Sequence, residues 1–299
     1  MTDEEVNDFR SGYVSIIGRP NVGKSTLLNS ILGEKIAIVT PKPQTTRNKI
    51  VGIKTLPGAQ IIFLDTPGIH KPRHKLGETM VRTALEALRE VDIILFMVEP
   101  REPEEEDKSI IELLHGIQSP VFLLINKVDT IKKPAILPLI AHFQELYPFK
   151  EIIPISAFMK DDIELILDKI CDYLPHGPKY YPDDLITDQL ERFMVSEIIR
   201  EKVMEMTEEE VPHSVAVEVD EWNERREGLI SIRGNIYVER EGQKGIIIGK
   251  KGSMLKSIGT AARIDIEKLL NAKVFLELWV KVKKDWRRDE RILKELGYR

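Results

Sequence analysis

A glycine-rich stretch near the start of the chain has the residue types and spacing of a phosphate-binding loop. The letters GRPNVGKS fit the pattern G-x-x-x-x-G-K-[ST], and they lie between an apolar run and a helical pattern. The glycines allow successive backbone N–H groups to turn toward phosphate oxygens. We expect Lys24 to reach the β- and γ-phosphates of a nucleotide and the Ser25 hydroxyl to ligate Mg²⁺. The predicted phosphate contacts are Gly18, Asn21, Val22, Gly23, Lys24, Ser25 and Thr26.

A second motif, the letters NKVD ending at Asp129, follows another apolar run and indicates which base is recognised. The Asp129 carboxylate can accept two hydrogen bonds from the N1–H and N2–H₂ groups of guanine, which adenine does not offer. We expect Asn126 to connect this loop with the phosphate loop and the Lys127 stem to pack on the base. Ser156 and Ala157, after the next apolar run, suit a backbone N–H directed at the guanine O6. The sequence therefore predicts GTP and GDP as ligands.

The letters DTPG, beginning at Asp65, and the polar segment 40–49 complete the predicted site for Mg²⁺ and the γ-phosphate. Asp65 would hold Mg²⁺ through water, and the Gly68 N–H would donate to the γ-phosphate. Thr46, or alternatively Thr45, would complete the Mg²⁺ shell only when a γ-phosphate is present, so the polar segment is predicted to be mobile and to act as a switch. The predicted metal ligands are Ser25, Thr46 and Asp65.

Strand and helix patterns alternate in the first part of the chain, which predicts a doubly wound α/β domain with a mostly parallel sheet. Continuously apolar runs are typical of strands that are covered on both faces. The predicted strands are residues 13–17, 61–65, 92–98, 121–126 and 152–156. Helical patterns cover 24–33 and 78–91, and the letters LPG at 56–58 predict an antiparallel hairpin.

A proline-rich stretch, LPHGPKYYPDD, separates this region from one with a different order of elements. The predicted organisation is a GTP-binding domain over 1–174, a linker over 175–184 and a smaller α+β domain over 185–299. The second region has the order α-β-β-α-α-β, which includes a strand over 273–283. A charged helix is predicted to close the chain over 285–296.

The motifs of the first region, taken in their order, resemble those of the P-loop GTPases. The resemblance implies hydrolysis of GTP to GDP and phosphate. The implied catalytic residues are Lys24, Thr46, Gly68 and Asn21. Many signalling GTPases carry a water-positioning glutamine directly after the DxxG glycine, whereas this chain has Ile69, so we expect slow intrinsic hydrolysis. In related translation-type GTPases an asparagine at the place of Asn21 is linked to a potassium ion that acts like an arginine finger, which makes K⁺ a candidate cofactor.

A second glycine-rich loop, GKKG, stands at residues 249–252. It lacks the G-K-[ST] ending and follows no strand pattern, which argues against a second nucleotide pocket. A turn of this kind between two helices can offer N–H groups and lysines to the backbone of a single nucleic-acid strand. The alternative is a plain turn with two solvated lysines. Ile246, Ile247 and Ile248 either line a neighbouring groove for unpaired bases or belong to the core.

The element order of the second region, together with the letters IIIGKKGSMLKSIG, resembles a type II KH domain. A GTPase domain followed by such a domain is similar to the Era family of bacterial GTPases. The motifs GRPNVGKST, PQTTR, DTPGIH, NKVD, SA and IIIGKKG all stand as that family has them, and the resemblance spans nearly the whole chain. It implies binding to the single-stranded 3′ end of small-subunit ribosomal RNA, a role in assembly of the small ribosomal subunit, and a GTP-bound form that favours RNA binding.

Charge is unevenly distributed along the chain. The whole sequence has a net charge of −5, yet residues 241–299 contain 15 Lys/Arg against 8 Asp/Glu. A basic end can meet phosphates while the acidic remainder keeps the protein in solution; chance variation between small domains is the alternative. Trp286 either stacks a base or anchors the last helix. The predicted RNA contacts are Ile246, Ile247, Ile248, Gly249, Lys250, Lys251, Gly252, Lys283, Lys284, Trp286, Arg287 and Arg288.

Composition limits the remaining classes of protein. The sequence shows no signal peptide and no apolar stretch near the roughly 18 residues of a membrane span. The single cysteine, Cys171, excludes internal disulfides and fits a reducing compartment, so a cytoplasmic location is expected. The protein is also expected to be a monomer. Peripheral association with a membrane has no support in the sequence, because no lipidation motif is visible. The remaining alternative to a hydrolysing switch is a non-catalytic RNA-binding scaffold in which GTP only stabilises one conformation.

Overall fold

The computed structural model describes residues 8–160, 162–226 and 228–298, and within these ranges no helix combines the length and apolar character needed to cross a membrane. Contacts divide the chain into two compact units. The first comprises the chain up to Ala37, Thr46–Pro72 and Gly77–Asp188, and the second comprises Ile38–Thr45, Arg73–Leu76 and the chain from Gln189. The prediction of an α/β fold followed by a smaller α+β fold is confirmed.

The first unit is built on a six-stranded sheet. Its strands are β1 (Arg10–Gly18), β2 (Ile50–Leu56), β3 (Ala59–Asp65), β4 (Ile93–Val98), β5 (Val121–Ile125) and β6 (Glu151–Pro154). They lie in the order β2–β3–β1–β4–β5–β6. β2 runs antiparallel to β3, as the hairpin pattern predicts, and the other neighbours pair in parallel. The carboxyl ends of the parallel strands therefore meet at one edge, where doubly wound sheets bind their ligands.

Helices cover the sheet, so its inner strands are apolar on both faces. The helices that follow the strands are α1 (Lys24–Leu32), α2 (Lys75–Glu86), α3 (Glu105–Leu114), α4 (Ile136–Leu146) and α5 (Ile163–Tyr173). Every residue of β4 and β5 is buried, which explains their continuous apolar runs. α1 ends where Gly33 adopts a left-handed φ of 78° and its N–H bonds the Asn29 carbonyl.

The segment predicted as a linker, 175–184, packs along the first unit. The Ser11 hydroxyl donates to the Pro178 carbonyl at 2.7 Å, and the Gln60 amide donates to the Tyr181 carbonyl at 2.9 Å. These hydrogen bonds hold the proline-rich chain in place, because its prolines lack N–H groups but keep their carbonyl acceptors. The first unit accordingly extends to Asp188, beyond the end expected from the proline pattern.

The second unit contains a three-stranded sheet with helices. Its elements are α6 (Glu191–Met206), α7 (Val211–Ser214), β7 (Ala216–Arg226), β8 (Leu229–Val238), α8 (Glu241–Ile248), α9 (Ser253–Leu270), β9 (Lys273–Val282) and α10 (Glu290–Glu295). β7 and β8 are antiparallel, and β8 and β9 are parallel. Val195, Ile199, Ile232 and Ile258 are buried in a common core with neighbours from the sheet and the helices. The predicted order of elements holds, with the short α7 as an addition.

The helix at the end of the chain is shorter than predicted. Instead of one helix over 285–296, the chain forms a 3-10 turn at Trp286–Arg288 and then α10. Asp285 has a left-handed φ of 53°, which interrupts any helix at that point. The Asp289 side chain caps α10 by accepting a hydrogen bond from the Arg291 N–H at 2.8 Å. The charge pattern misses this break because Trp286 is drawn into the core.

The segment Ile38–Thr45 packs on α6, which is why contacts group it with the second unit. The Val39 N–H donates to the Glu201 carboxylate at 3.0 Å, and Arg200 donates to the Thr45 carbonyl at 2.6 Å. The Thr45 hydroxyl bonds the Thr40 hydroxyl at 2.8 Å. The segment lacks regular secondary structure, but in this structure it is packed in place, which differs from the expected mobile loop.

Candidate nucleotide site and nucleic-acid interface

The phosphate loop turns from β1 into α1 through residues with unusual backbone angles. Gly18 and Gly23 have φ values of 147° and 106°, which favour glycine. A Cβ on Gly23 would lie 2.3 Å from the Asn126 amide nitrogen, so the loop also needs the small residue for space. The Lys24 ammonium is buried and donates to the carbonyls of Gly18 at 3.2 Å and Arg19 at 2.9 Å. This geometry presents a buried cation at the centre of the loop.

Two hydroxyls and a carboxylate converge beside the loop. The Ser25 Oγ lies 2.8 Å from the Thr46 Oγ1 and donates to the Asp65 Oδ2 at 2.6 Å. The Asp65 Oδ1 is buried and has no hydrogen-bond partner within the described chain. Thr45 lies elsewhere, bonded to Thr40, so the structure places Thr46 in the cluster. Hard oxygen donors with one unmatched buried oxygen fit a hydrated Mg²⁺.

Burial controls the electrostatics of this cluster. It lowers the pKa of Lys24 to about 8, although the nearby Asp65 charge acts in the opposite direction. Burial likewise raises the pKa of Asp65 to about 6, against the Lys24 charge and the hydrogen bond from Ser25. Additional charges of both signs, such as a polyphosphate and a divalent cation, would favour the charged forms of both residues.

Asn126 connects the loop that follows β5 with the phosphate loop. Its amide nitrogen donates to the Val22 carbonyl at 2.7 Å, and its amide oxygen accepts from the Ala157 N–H at 2.9 Å. A backbone N–H of the Ser156–Ala157 pair was expected to point at guanine O6, and that of Ala157 is bonded to Asn126 in this structure. The Ser156 hydroxyl donates to the Asp129 carboxylate at 2.6 Å. Ser156 thus orients the carboxylate expected to recognise guanine, a role that the motif does not reveal.

Lys127 extends over the edge of the phosphate loop. Its ammonium donates to the Asn21 carbonyl at 2.8 Å and forms an ion pair with Glu99. Its backbone is left-handed, with φ of 64°, as is that of Asn21, with φ of 65°. Thr26 is half-buried in the first turn of α1. These residues therefore lie around the same edge of the sheet as the metal cluster.

The DxxG loop after β3 contacts the phosphate loop directly. The Ile69 N–H donates to the Gly18 carbonyl at 3.1 Å, and the Ile69 side chain is buried in the core. A Cβ on Gly68 would lie 2.5 Å from the Pro20 nitrogen, so only glycine fits that position without displacing the loop. Ile69 therefore offers neither a polar group nor an exposed side chain to a water molecule.

Asn29, one turn after the phosphate-binding residues of α1, fixes the start of the polar segment. Its amide oxygen accepts from the Ile36 and Ala37 N–H groups at 3.1 and 3.0 Å, and its amide nitrogen donates to the Ala37 carbonyl at 2.8 Å. One helix thus positions Ser25 at its start and holds the chain on the way to Thr46.

The second glycine loop joins α8 to α9 in a tight turn. Gly249, Lys251 and Gly252 have positive φ values of 71°, 50° and 80°. A Cβ on Gly249 would lie 2.7 Å from the Met254 Cβ, so this glycine is required for space as well. Lys250 and Lys251 are exposed at the tip of the turn. The loop therefore presents two cations and a strained backbone to solvent, without the buried lysine of the phosphate loop.

A groove of about 430 Å³ runs beside this turn, between α9 and β9. Its lining residues are Gly252, Leu255, Lys256, Gly259, Thr260, Arg263, Leu276, Glu277 and Leu278. Ile246 is half exposed and Ile248 partly buried, but Ile247 is fully buried in the core. Ile247 therefore follows the alternative reading and belongs to the core, so the predicted RNA contact by Ile247 is corrected.

The basic residues after β9 differ in their availability. Lys284 and Arg288 are exposed, whereas Lys283 pairs with Glu295 at 2.8 Å. Arg287 is partly buried and forms an ion pair with Glu239. The structure leaves Lys284 and Arg288 as the better placed contacts for an anionic partner.

Trp286 is an anchor of the C-terminal segment. Its side chain is fully buried, its indole N–H donates to the Ser214 carbonyl at 2.9 Å, and its ring stacks on Tyr298 at 5.7 Å between centroids. A base cannot stack on a ring that is covered on all sides. The expectation of RNA contact by Trp286 is corrected accordingly.

Sequence reasoning missed the acidic residues that hold the phosphate loop from outside. The Arg19 guanidinium forms an ion pair with Glu104, and its Nε lies 2.8 Å from the Asp107 carboxylate. Burial raises the pKa of Asp107, against the hydrogen bond from the Glu104 backbone and the Arg19 charge. Asp107 is a polar residue on the buried face of α3, and such a residue is a signal of a buried partner. The spacing of residues in the sequence does not show that this partner is Arg19.

Comparison with known proteins agrees with this geometry. A family model for 50S ribosome-binding GTPases matches residues 13–127, and one for KH domains matches residues 210–287. GTPase Era of Geobacter metallireducens is 61% identical over 294 residues, which cover 98% of this chain and 99% of that protein. The chain belongs to the Era family of GTPases. GTPase Era of Ruminiclostridium cellulolyticum is 56% identical over 97% of this chain and 98% of its own length.

Solved Era structures share the fold along the whole chain. A crystal structure of Era in complex with MgGDPNP and nucleotides 1506–1542 of 16S ribosomal RNA is 44% identical, with a TM-score of 0.95 over 97% of this chain and 99% of that chain. A variant of Aquifex aeolicus Era bound to GDP·AlF₄⁻ is also 44% identical, with a TM-score of 0.94 over the same shares. As an Era GTPase, this chain combines a GTPase sheet with a KH domain, as the motifs predict.

Proposed function

We propose that this GTPase binds the single-stranded 3′ end of small-subunit ribosomal RNA through its second unit and assists assembly of the small ribosomal subunit. The main support is the Era complex with MgGDPNP and 16S ribosomal RNA, which is similar to this chain from end to end. The exposed Lys250 and Lys251 at the turn and the adjoining groove supply the contacts that single-stranded RNA requires. Bound GTP favours the RNA-binding form, and hydrolysis resets it.

The nucleotide is held by the residues around the carboxyl edge of the first sheet. The phosphates lie on the loop from Gly18 to Thr26 with Lys24, and Asp129 recognises guanine. Ser25, Thr46 and Asp65 would hold Mg²⁺, which would supply positive charge to the phosphate oxygens during hydrolysis. Gly68 offers its N–H to the γ-phosphate.

Hydrolysis is slow in the absence of a partner, because Ile69 is buried and cannot orient water. We expect the matching RNA to raise the single-turnover rate of GTP hydrolysis by about tenfold, which corresponds to about 1.4 kcal/mol off the barrier. The measurement is phosphate release from saturated enzyme with and without an oligonucleotide of the 3′ end. An RNA of equal length and scrambled sequence is the control.

The same experiment separates the switch from a scaffold. A scaffold in which GTP only stabilises one conformation predicts equal rates with the matching and the scrambled RNA, even when the matching RNA binds tightly. Equal rates at saturating RNA would therefore contradict the switch while leaving RNA binding intact.

We also propose that K⁺ takes part in hydrolysis beside Asn21. A monovalent cation there would neutralise negative charge that develops in the transition state. Exchange of Na⁺ for K⁺ at constant ionic strength is expected to raise kcat by about tenfold or more, because a cation at this place substitutes for an arginine finger. Asn21→Ala should lose the response to K⁺. A kcat that is the same in both salts would exclude the ion.

The proposed partner indicates where the protein acts, and its oligomeric state is proposed here as well. A protein that acts on the small ribosomal subunit works in the cytoplasm, and the isolated protein is proposed to be a monomer. Sedimentation of the purified chain with and without GTP measures that state.

A further inference from the structure

A row of five charged side chains connects the phosphate loop with the base-recognition loop of the first unit. In order along the row they are Arg19, Glu104, Arg101, Glu99 and Lys127. Arg101 lies in the middle, with its two terminal nitrogens 2.7 Å from the Glu104 carboxylate and 2.8 Å from the Glu99 carboxylate. Charges alternate in sign from end to end, so each of the three inner members is attracted by both neighbours and each end member by one.

Both ends of the row lie at the phosphate loop: Arg19 is itself a loop residue, and Lys127 bonds the loop backbone. At one end, the Arg19 carbonyl accepts from the Lys24 ammonium at 2.9 Å. At the other end, the Lys127 ammonium donates to the Asn21 carbonyl at 2.8 Å. The row therefore holds the side chain of one loop residue, Arg19, and the carbonyl of another, Asn21. Its last member, Lys127, is the lysine expected to pack on the base.

The chain that carries the middle of the row is stiff. It runs from the end of β4 to the start of α3, and it contains Pro100 and the buried Pro103. Prolines restrict the backbone, so fewer conformations compete with the observed one. The Arg101 N–H donates to the Glu99 carbonyl at 2.9 Å, and the Glu104 N–H donates to the Asp107 carboxylate at 3.0 Å.

Burial increases toward the Arg19 end. The Asp107 side chain is 2% exposed and that of Arg19 is 10% exposed, whereas Arg101 is 48% exposed. Single exposed ion pairs contribute little, but several charges in one network contribute more. The Arg19 end of the row is therefore buried in the protein, whereas the ion pairs of Arg101 in the middle are partly screened by solvent.

We propose that Arg101 is a positioning residue that couples recognition of the phosphates to recognition of guanine. It acts through Glu104 on the Arg19 side and through Glu99 on the Lys127 side. The proposal rests on the assignment of GTP to this site. It adds that the phosphate loop and the base-recognition loop change conformation together when a ligand binds. A ligand that engages both loops gains from the coupling, whereas loss of Arg101 lets each loop relax separately.

The test is Arg101→Gln, compared with Lys108→Gln on α3. Lys108 pairs with Glu105 at 3.0 Å and is 47% exposed, so it matches Arg101 in exposure and in type of ion pair but lies outside the row. We expect GDP to dissociate from Arg101→Gln about three to ten times faster than from the wild type. Discrimination between GDP and IDP, which lacks the exocyclic amine, should fall about threefold, and Arg101→Lys should restore part of both.

The control variant and the melting temperature separate positioning from stability. Lys108→Gln should keep wild-type dissociation and discrimination, and both variants should melt within a degree or two of the wild type. Dissociation of GDP within twofold of the wild type, or a faster rate with unchanged discrimination, would overturn the coupling. If the wild type itself bound GDP and IDP equally well, the assignment of the guanine site would fail instead.

Discussion

Asp129→Asn should exchange the preference of this GTPase for guanine with one for xanthine. In the proposed site the Asp129 carboxylate accepts from two N–H groups of guanine, and each hydrogen bond to a charged group contributes about 1.5–3 kcal/mol. The amide removes the negative charge from both bonds and turns a donor toward the guanine amine, which should weaken GTP binding by about 10²- to 10⁴-fold. Xanthine carries an oxygen in place of the exocyclic amine, so the new amide can donate to it. Equilibrium affinities for GTP and XTP measure the exchange.

The control for this exchange is Asp168→Asn, an exposed carboxylate on α5 that is replaced by the same amide. It should leave the affinities for both nucleotides as they are. Since Ser156 donates to Asp129 at 2.6 Å, the amide can keep that partner, and the fold should persist. Asp129→Asn protein that still prefers GTP would refute the assignment of Asp129 to the base.

Replacement of both Lys250 and Lys251 by Asp should abolish tight RNA binding and spare nucleotide binding. Each phosphate contact to a single strand contributes about 0.7 to the slope of log K against log salt. Two lost contacts and the added repulsion should weaken binding on the order of 10²-fold at about 0.1 M salt, with a slope smaller by roughly 1.4. RNA affinities over a salt series and the affinity for GDP are the measurements.

The matched control is the pair Lys268→Asp and Lys273→Asp. Both lysines are exposed in the same unit, and Lys268 is about 24 Å from the turn, since α9 rises about 1.5 Å per residue. The pair makes the same change in net charge, so it reports the effect of charge alone. If GDP affinity fell in the Lys250 and Lys251 variant, the turn would belong to a nucleotide site.

Much of the first unit could be predicted because burial on both faces leaves a plain signal. β4 and β5 read as unbroken apolar runs, and the phosphate loop has a fixed spacing of glycines, Lys24 and Ser25. What failed depends on contacts between distant parts of the chain. Trp286 stands among basic residues and reads as an RNA contact, but Ser214 and Tyr298 bury it. Neither partner is near it in sequence.

The row of ion pairs was missed for a related reason. The charged residues between β4 and α3 give no sign of the row in the sequence, since spacing along the chain does not say which cation each carboxylate meets. The partner of Glu104 is Arg19, which lies in a motif whose pattern leaves that position unspecified. Sequence patterns therefore locate the residues of a site well when those residues share a motif. They locate poorly the residues of other elements that support the site.

The anchoring of the polar segment by Asn29 has a consequence for the entropy of the switch. With Ala37 held by Asn29 and Thr46 by Ser25, the stretch Ile38–Thr45 is a loop of eight residues with fixed ends. Ordering eight backbones costs roughly 8–16 kcal/mol in conformational entropy, whereas one strong contact at Thr46 contributes about 1.5–3 kcal/mol.

Most of that entropy must therefore be offset by the packing of the segment itself, such as burial of Ile38 and the bond between Thr40 and Thr45. The ordered and disordered forms of the segment then differ little in free energy, because the large entropy cost and the large packing gain nearly cancel. A contact of a few kcal/mol at Thr46 is enough to shift their populations by a factor of ten to a hundred or more. A short loop with fixed ends therefore lets a contact of modest strength at Thr46 control whether the segment is ordered.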